Sequence, residues 1–255
     1  MLLFLEIFTV FFIGLILGSF STALIYRVPR KLSWTIDRSS CTSCDTNLRT
    51  IDLVPLFSWL STKGKCRYCQ SKISVTYPLT ELSAVVLCLT AYSVLGFSYE
   101  SLYVFAAIPF LIALFVIDLK HMILPNQLVF ILFVIGILRL FYFSISDVFT
   151  QVSDVLIPYF YGSLLYALIP WLTGIILTKV LKRDALGFGD VKFFFVTGIW
   201  LGINYLPYFL IMSGGLAVFF ALLWRHLLKK DVFPFGPSLI FSFFVLLLFQ
   251  GSFLV

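Results

Sequence analysis

Two aspartates stand where charge is costly for this chain. Asp118 ends the apolar run FAAIPFLIALFVI and precedes Leu119-Lys120-His121-Met122-Ile123-Leu124-Pro125. Asp190 follows Gly187-Phe188-Gly189 and precedes Val191-Lys192 and a second apolar run. Ionisable groups in or beside membrane-spanning segments are rare and mark functional sites. Two carboxylates at one depth can share a proton and activate a water against a peptide carbonyl, one acting as base and the other as acid. Either aspartate alone reads more readily as an interfacial helix cap; the pair reads better as an active site. Lys192 is placed either to orient the pair or a substrate carbonyl, or to snorkel to the interface. Gly187 and Gly189 would let backbone approach an extended substrate.

A second constellation is made of thiols. Cys41-Thr-Ser-Cys44 and Cys66-Arg-Tyr-Cys69 are separated by 21 residues and hold four of the five cysteines. Each pair can offer two sulfurs to one tetrahedral ion, so the spacing points to a closed structural zinc site. Disulfides are disfavoured by a reducing compartment, and neither pair follows a strand as a redox pair would. Cys88 lies in an apolar run and reads as a core residue.

The elements that must position these groups follow from composition. Of 255 residues, 61% are hydrophobic and 12% charged, against about 45–50% and about 25% in soluble domains. The chain is expected to be an all-α polytopic membrane protein. Apolar stretches at 3–26, 78–95, 102–119, 125–143, 155–181, 191–205, 206–224 and 233–254 give about eight transmembrane helices, with seven the fallback because 191–205 is short. The expected division is a first transmembrane helix at 1–26, a small zinc-binding loop domain at 27–77 and a transmembrane core at 78–255.

Charge then orients the spans. Residues 27–77 carry nine basic residues against three acidic ones, an excess as large as the +6 of the whole chain. Lys120, Lys182 with Arg183 and the basic residues of 225–230 fall on the same side, while Glu100, Asp147 and Asp154 fall on the other. The positive-inside rule makes the basic side cytoplasmic, with both termini outside. This accounts for the basic charge without nucleic acid. Arg139 lies near an outer end and is expected to snorkel to the interface. Glu6 is expected near the outer surface. Glu81 follows Pro78 at the start of its helix, where a carboxylate meets the helix dipole favourably, and it is also a candidate supporting residue of the site.

Gly187-Phe188-Gly189-Asp190 matches the GxGD signature of intramembrane aspartyl proteases. The chain resembles one branch of that group, the type IV prepilin peptidases (prepilin leader peptidase/N-methyltransferases). Matching stretches include Gly18-Ser19-Phe20, Tyr26-Arg27-Val28-Pro29, both cysteine pairs, Ser58-Trp59-Leu60, Gly64-Lys65-Cys66-Arg67, Tyr77-Pro78 with Glu81, the segment from Asp118 to Pro125, and Pro234-Phe235-Gly236-Pro237. The resemblance implies Asp118 and Asp190 as the catalytic pair. It implies removal of a short basic leader from pilin-like precursors at the cytoplasmic face of the bacterial inner membrane, followed in many members by N-methylation from S-adenosylmethionine. Thr22 and Asn126 stand where members often carry Asn and Asp; Thr22 lies in the region associated with methyl transfer. A basic loop should repel a basic leader unless Asp37, Asp45 or Asp52 faces it.

Helix ends offer a division of labour within the pair. Asp118 closes its helix among carbonyl dipoles and Asp190 opens its own among free N–H groups, which makes Asp190 the expected base and Asp118 the acid. A transporter would need polar groups at mid-membrane along several spans, whereas the mid-span polar groups here are mainly small, as in Ser213-Gly214-Gly215. A scaffold that only recognises precursors would tolerate Asn at both aspartates.

Overall fold

The protein is described by a computed structural model over residues 2–35, 37–146, 152–182, 186–229 and 233–253. Asp147, Arg183, Lys230 and the side chain of Asp154 lie outside the described residues. The apolar runs form helices α1 (Leu2–Arg27), α3 (Thr76–Leu95), α4 (Tyr99–His121), α5 (Asn126–Ser146), α6 (Val152–Leu181), α7 (Phe188–Leu201), α8 (Leu206–Leu228) and α9 (Gly236–Phe253), and a short α2 (Phe57–Ser61) lies in the loop after α1. No strand forms among the described residues beyond the isolated bridges Ser40–Asn47 and Lys65–Lys72. Among the described residues six helices are long and apolar enough to cross a bilayer; α9, apolar over Gly236–Gln250, and the 14-residue α7 are shorter. Many outward side chains are large and apolar, among them Phe4, Phe8, Ile211 and Leu222, as a lipid environment requires.

The chain divides into two compact units, Met1–Ala113 and Leu114–Val255. In the first, α1 lies along α3, and the approach depends on small residues. A Cβ at Gly14 would fall 2.7 Å from the Val85 Cα, and one at Gly18 would fall 2.6 Å from the Glu81 Cα. Small residues four apart let helix backbones meet where hydrophobicity cannot drive association. Cys88 is fully buried on α3, in the core role expected of it. The Tyr92 hydroxyl donates to Glu6, which is how that carboxylate is held.

In the second unit α7 is enclosed: nearly every residue from Val191 to Leu201 is buried. Gly198 meets Ser163 of α6 backbone to backbone, and Trp200 donates its indole N–H to the Leu132 carbonyl of α5 at 3.0 Å. The stretch expected at 191–205 is shorter than drawn. The helix starts at Phe188, which puts Asp190 in its first turn, and it ends before Gly202, whose φ of +70° begins a separate turn at Ile203–Tyr205.

Arg139 overturns its expectation. It is only 2% exposed and donates from Nη1 to the Trp200 carbonyl at 3.0 Å, with its guanidinium 5.5 Å from the Trp200 and Phe143 rings. A cation at the last carbonyls of a helix is favoured by the helix dipole. That partner inside the protein, together with the ring faces, holds the charge that was expected to seek the interface. Gln250 reaches the same end of α7, 3.4 Å from the Leu201 carbonyl.

Candidate active site and metal centre

Three helix ends converge in the second unit. Asp118 lies three residues before the end of α4, Asp190 in the first turn of α7, and Gly236 at the first position of α9. Leu124, on the short link after α4, is the wedge between them. A Cβ on Gly189 would sit 3.2 Å from the Leu124 Cβ, and one on Gly236 would sit 3.1 Å from its Cδ2. A side chain at either position would press on Leu124 and force it to shift by a few tenths of an ångström.

Each carboxylate is held by one backbone donor. The Gly236 N–H donates to Asp118 Oδ2 at 2.9 Å, and Asp118 is 4% exposed. Asp190, third in α7, takes the N–H of Gly187, the residue that caps the helix. Capping by an acidic side chain at that position satisfies one of the orphan donors of a helix start. The two carboxyls are within electrostatic reach of each other. The structure thus brings together both sequence-predicted aspartates.

The expected division into acid and base loses its basis. Asp118 ends its own helix but faces the start of α9, so both carboxylates accept an N–H from the N-terminal end of a helix. Helix dipoles therefore do not tell them apart. The glycines also have a nearer use than substrate approach. A Cβ on Gly187 would lie 3.1 Å from Asp190 Oδ2, so its absence leaves the carboxylate room to fold back.

Lys192 is engaged away from the pair: its ammonium donates to Asn126 Oδ1 at 2.8 Å and lies 4.6 Å from the Phe188 ring centroid. These groups head a mostly apolar groove of about 450 Å³ between α5 and α7, with Phe130, Phe133 and Phe195 along it. Glu81 is in the other unit. It is 7% exposed and accepts the Leu56 N–H at 2.7 Å, fastening the loop to α3. Gly236 enters the sequence reading only within the stretch Pro234-Phe235-Gly236-Pro237, and its place beside Asp118 is what that reading missed. Its signal was a glycine before a proline at a helix start, but nothing local connects it to Asp118.

In the loop of the first unit, two knuckles repeat one pattern. The Cys41 N–H donates to Thr46 O at 3.0 Å and the Asp45 N–H to Cys41 O at 2.9 Å; the Cys66 N–H donates to Ser71 O at 2.8 Å and the Gln70 N–H to Cys66 O at 3.0 Å. Asp45 and Gln70 both turn the chain with positive φ, 54° and 59°. The four sulfurs of Cys41, Cys44, Cys66 and Cys69 lie within 4.8 Å of one another, and none is in a disulfide. Bonds of about 2.3 Å to a tetrahedral zinc place sulfurs roughly 3.8 Å apart; Cys41 and Cys69 are 3.9 Å apart. The Ser43 N–H, outweighing desolvation, draws the Cys41 thiol down to about 6, and the Ser71 hydroxyl lowers Cys69. Thiolates are the metal-binding form. Around the knuckles, Asp52 is bound by Arg67 at 2.9 Å and by the Tyr68 hydroxyl at 2.9 Å.

Comparison with known proteins places this geometry. The family model described as Bacterial Peptidase A24 N-terminal domain matches residues 12–95, and that of the Type IV leader peptidase family matches residues 105–222. The prepilin leader peptidase/N-methyltransferase of Vibrio cholerae is 32% identical over 242 residues, covering 91% of this chain and 92% of that protein. The Bacillus subtilis protein of the same name is 34% identical, covering 90% and 88%. A type 4 prepilin-like proteins leader peptide-processing enzyme of Escherichia coli is 33% identical, covering 89% and 87%. No solved structure matches. The likeness runs through the cysteine loop and both aspartates alike, and the chain belongs to the type IV leader peptidase family.

Proposed function

We propose that the chain is a membrane-embedded aspartyl endopeptidase that removes the short basic leader of pilin-like precursors at the cytoplasmic face and N-methylates the new N-terminus. The observation that carries this reading is the approach of Asp118 and Asp190 at three converging helix ends. Two carboxylates that feel each other's charge hold one proton between them more readily than none. The ionised partner takes a proton from a water as it attacks the scissile carbonyl, and the protonated partner hydrogen-bonds the carbonyl oxygen. The proton then passes to the leaving amine. The cleaved bond must be extended, because a helical peptide group is shielded by its own hydrogen bond. A site beside helix ends, rather than mid-membrane, avoids unwinding the precursor in lipid.

Cleavage just before an apolar segment needs a place for that segment. The Phe-lined groove headed by Lys192 and Asn126 begins two residues from Asp190 and supplies one. Lys192 at its mouth is a donor for a substrate carbonyl. Of the loop aspartates that could receive a basic leader, Asp52 is occupied by Arg67 and Tyr68, whereas Asp37 and Asp45 are exposed. Cys41, Cys44, Cys66 and Cys69 would hold a zinc ion that orders the loop, with all four positions filled by thiolate and none open for catalysis. Methyl transfer, with S-adenosylmethionine as donor, rests on the relatives' names.

The test is cleavage of a precursor with a basic leader by purified protein in liposomes. Asp118→Asn and Asp190→Asn should each abolish cleavage with fold and metal content intact, and the wild-type product should carry one added methyl when S-adenosylmethionine is supplied. Full cleavage by either variant would remove the aspartyl mechanism.

A further inference from the structure

The stretch of residues 51–60 is unlike the rest of the loop. Ile51, Leu53, Val54, Phe57 and Leu60 are each between 40% and 63% exposed. The one charge in the stretch, Asp52, is turned inward to Arg67 and Tyr68. Around it the chain is basic: Arg49 precedes it, Lys63, Lys65 and Arg67 follow it, and all four are exposed. Large apolar side chains inside a basic border are the composition of an element lying in the membrane interface.

Position supports the same reading. The stretch is fastened at Leu56, whose N–H is held by Glu81. Glu81 lies five residues past Thr76, the first residue of α3, which at 1.5 Å per residue is about 7–8 Å along the helix axis. A chain bonded there hangs beside a spanning helix at the depth where interfacial helices bury their apolar faces, about 5–10 Å into the boundary between headgroups and acyl chains. The backbone is shaped for this fastening. Leu56 has a φ of +60° and caps α2, so that Phe57 and Leu60, exposed on the helix that follows, are presented outward.

We propose that residues 51–60 form a lipid-facing anchor: Ile51, Leu53, Val54, Phe57 and Leu60 bed in the interface, and Arg49, Lys63 and Lys65 hold anionic headgroups above them. The anchor lays the thiolate cluster flat against the bilayer, tied at three points: the end of α1, the Glu81 bond and the start of α3.

The test is photo-crosslinking of the full chain in vesicles of phosphatidylethanolamine and phosphatidylglycerol. Benzoylphenylalanine replaces Phe57 or Leu60 in turn, with Phe8 on α1 as a lipid-exposed reference and Thr42 in the first knuckle as a solvent-exposed one. Lipid adducts at positions 57 and 60, at yields like that of position 8 and absent at 42, are expected. They should diminish at 57 in vesicles of phosphatidylcholine alone. Adducts only to another part of the chain or to a second copy, or none while position 8 reacts, would overturn the anchor. Equal yields in the two vesicle types would overturn the role of the basic border.

Discussion

Replacing Gly236 with alanine should separate positioning from folding. The added Cβ would lie 2.6 Å from Asp118 Oδ2 and 2.9 Å from its Cγ. To reach the 3.4 Å of an ordinary contact the carboxyl must retreat by roughly 0.8 Å, and in doing so it leaves the 2.9 Å hydrogen bond from the Gly236 N–H. That bond, made to a charged group, is worth about 1.5–3 kcal/mol. The atom that must move is the end of a side chain with two free torsions, so the cost to the fold is at the low end of that range. The cost to chemistry is larger, because a displacement near 1 Å in a reacting group lowers rate by about 100-fold. The expected result is a fall in kcat of that order, with little change in KM and a thermal transition lowered by only a few degrees. The assay is steady-state cleavage of a precursor in liposomes beside thermal unfolding in detergent. A variant that cleaves within about threefold of wild type would refute the claim that the close approach of Gly236 sets Asp118, since a 0.8 Å shift predicts far more.

Other outcomes follow from single contacts. Cys41→Ser with Cys66→Ser should lose the bound metal, read by elemental analysis, and expose the loop to protease, while kcat stays within several-fold of wild type; a fall as deep as that of Asp118→Asn would make the metal part of the chemistry. Glu81→Gln keeps an acceptor for the Leu56 N–H and should be mild, whereas Glu81→Leu should cost about 1–3 kcal/mol, the penalty for an unmet buried donor. Equal effects of the two would mean that charge matters at Glu81 rather than the bond. Arg139→Met preserves packing but leaves the Trp200 carbonyl without its donor, and should cost about 1.5–3 kcal/mol of stability in detergent unfolding. Unchanged stability would show that the buried guanidinium contributes nothing net.

Much of the architecture was legible because lipid imposes it. Long apolar runs must be helices, since no other local structure satisfies its own backbone there, and paired thiols at fixed spacing announce a metal site through local geometry alone. The aspartates were legible for a related reason, since an unpaired acid beside an apolar run calls for an explanation. What escaped depends on contacts between distant parts of the chain. Gly236 acts on Asp118 across 118 positions, and no local pattern marks a donor that far away. Arg139 was sent to the interface because sequence shows its distance from a helix end but not the carbonyl waiting at Trp200. The start of α7 was placed too late because Gly187-Phe188-Gly189 reads as a loop, since glycine disfavours helix. The side chain of Asp190, folding back on Gly187, makes that start.

The enclosure of α7 bears on the order in which the chain can be assembled during synthesis. A helix of 14 residues is about 21 Å long, against about 30 Å of hydrocarbon, and it carries an acid at one end. Delivered alone by the insertion machinery it would be a poor candidate for release into lipid. By the time it emerges from the ribosome, α5 and α6 have already been made, and with them the Arg139 guanidinium that meets its last carbonyls and the Ser163 backbone against which Gly198 lies. The helix that carries Asp190 is thus received by protein rather than by lipid. Deleting α5 and α6 should leave it stranded in the aqueous phase, and a nascent chain stalled before Gly236 would hold α7 while Asp118 still lacks its donor.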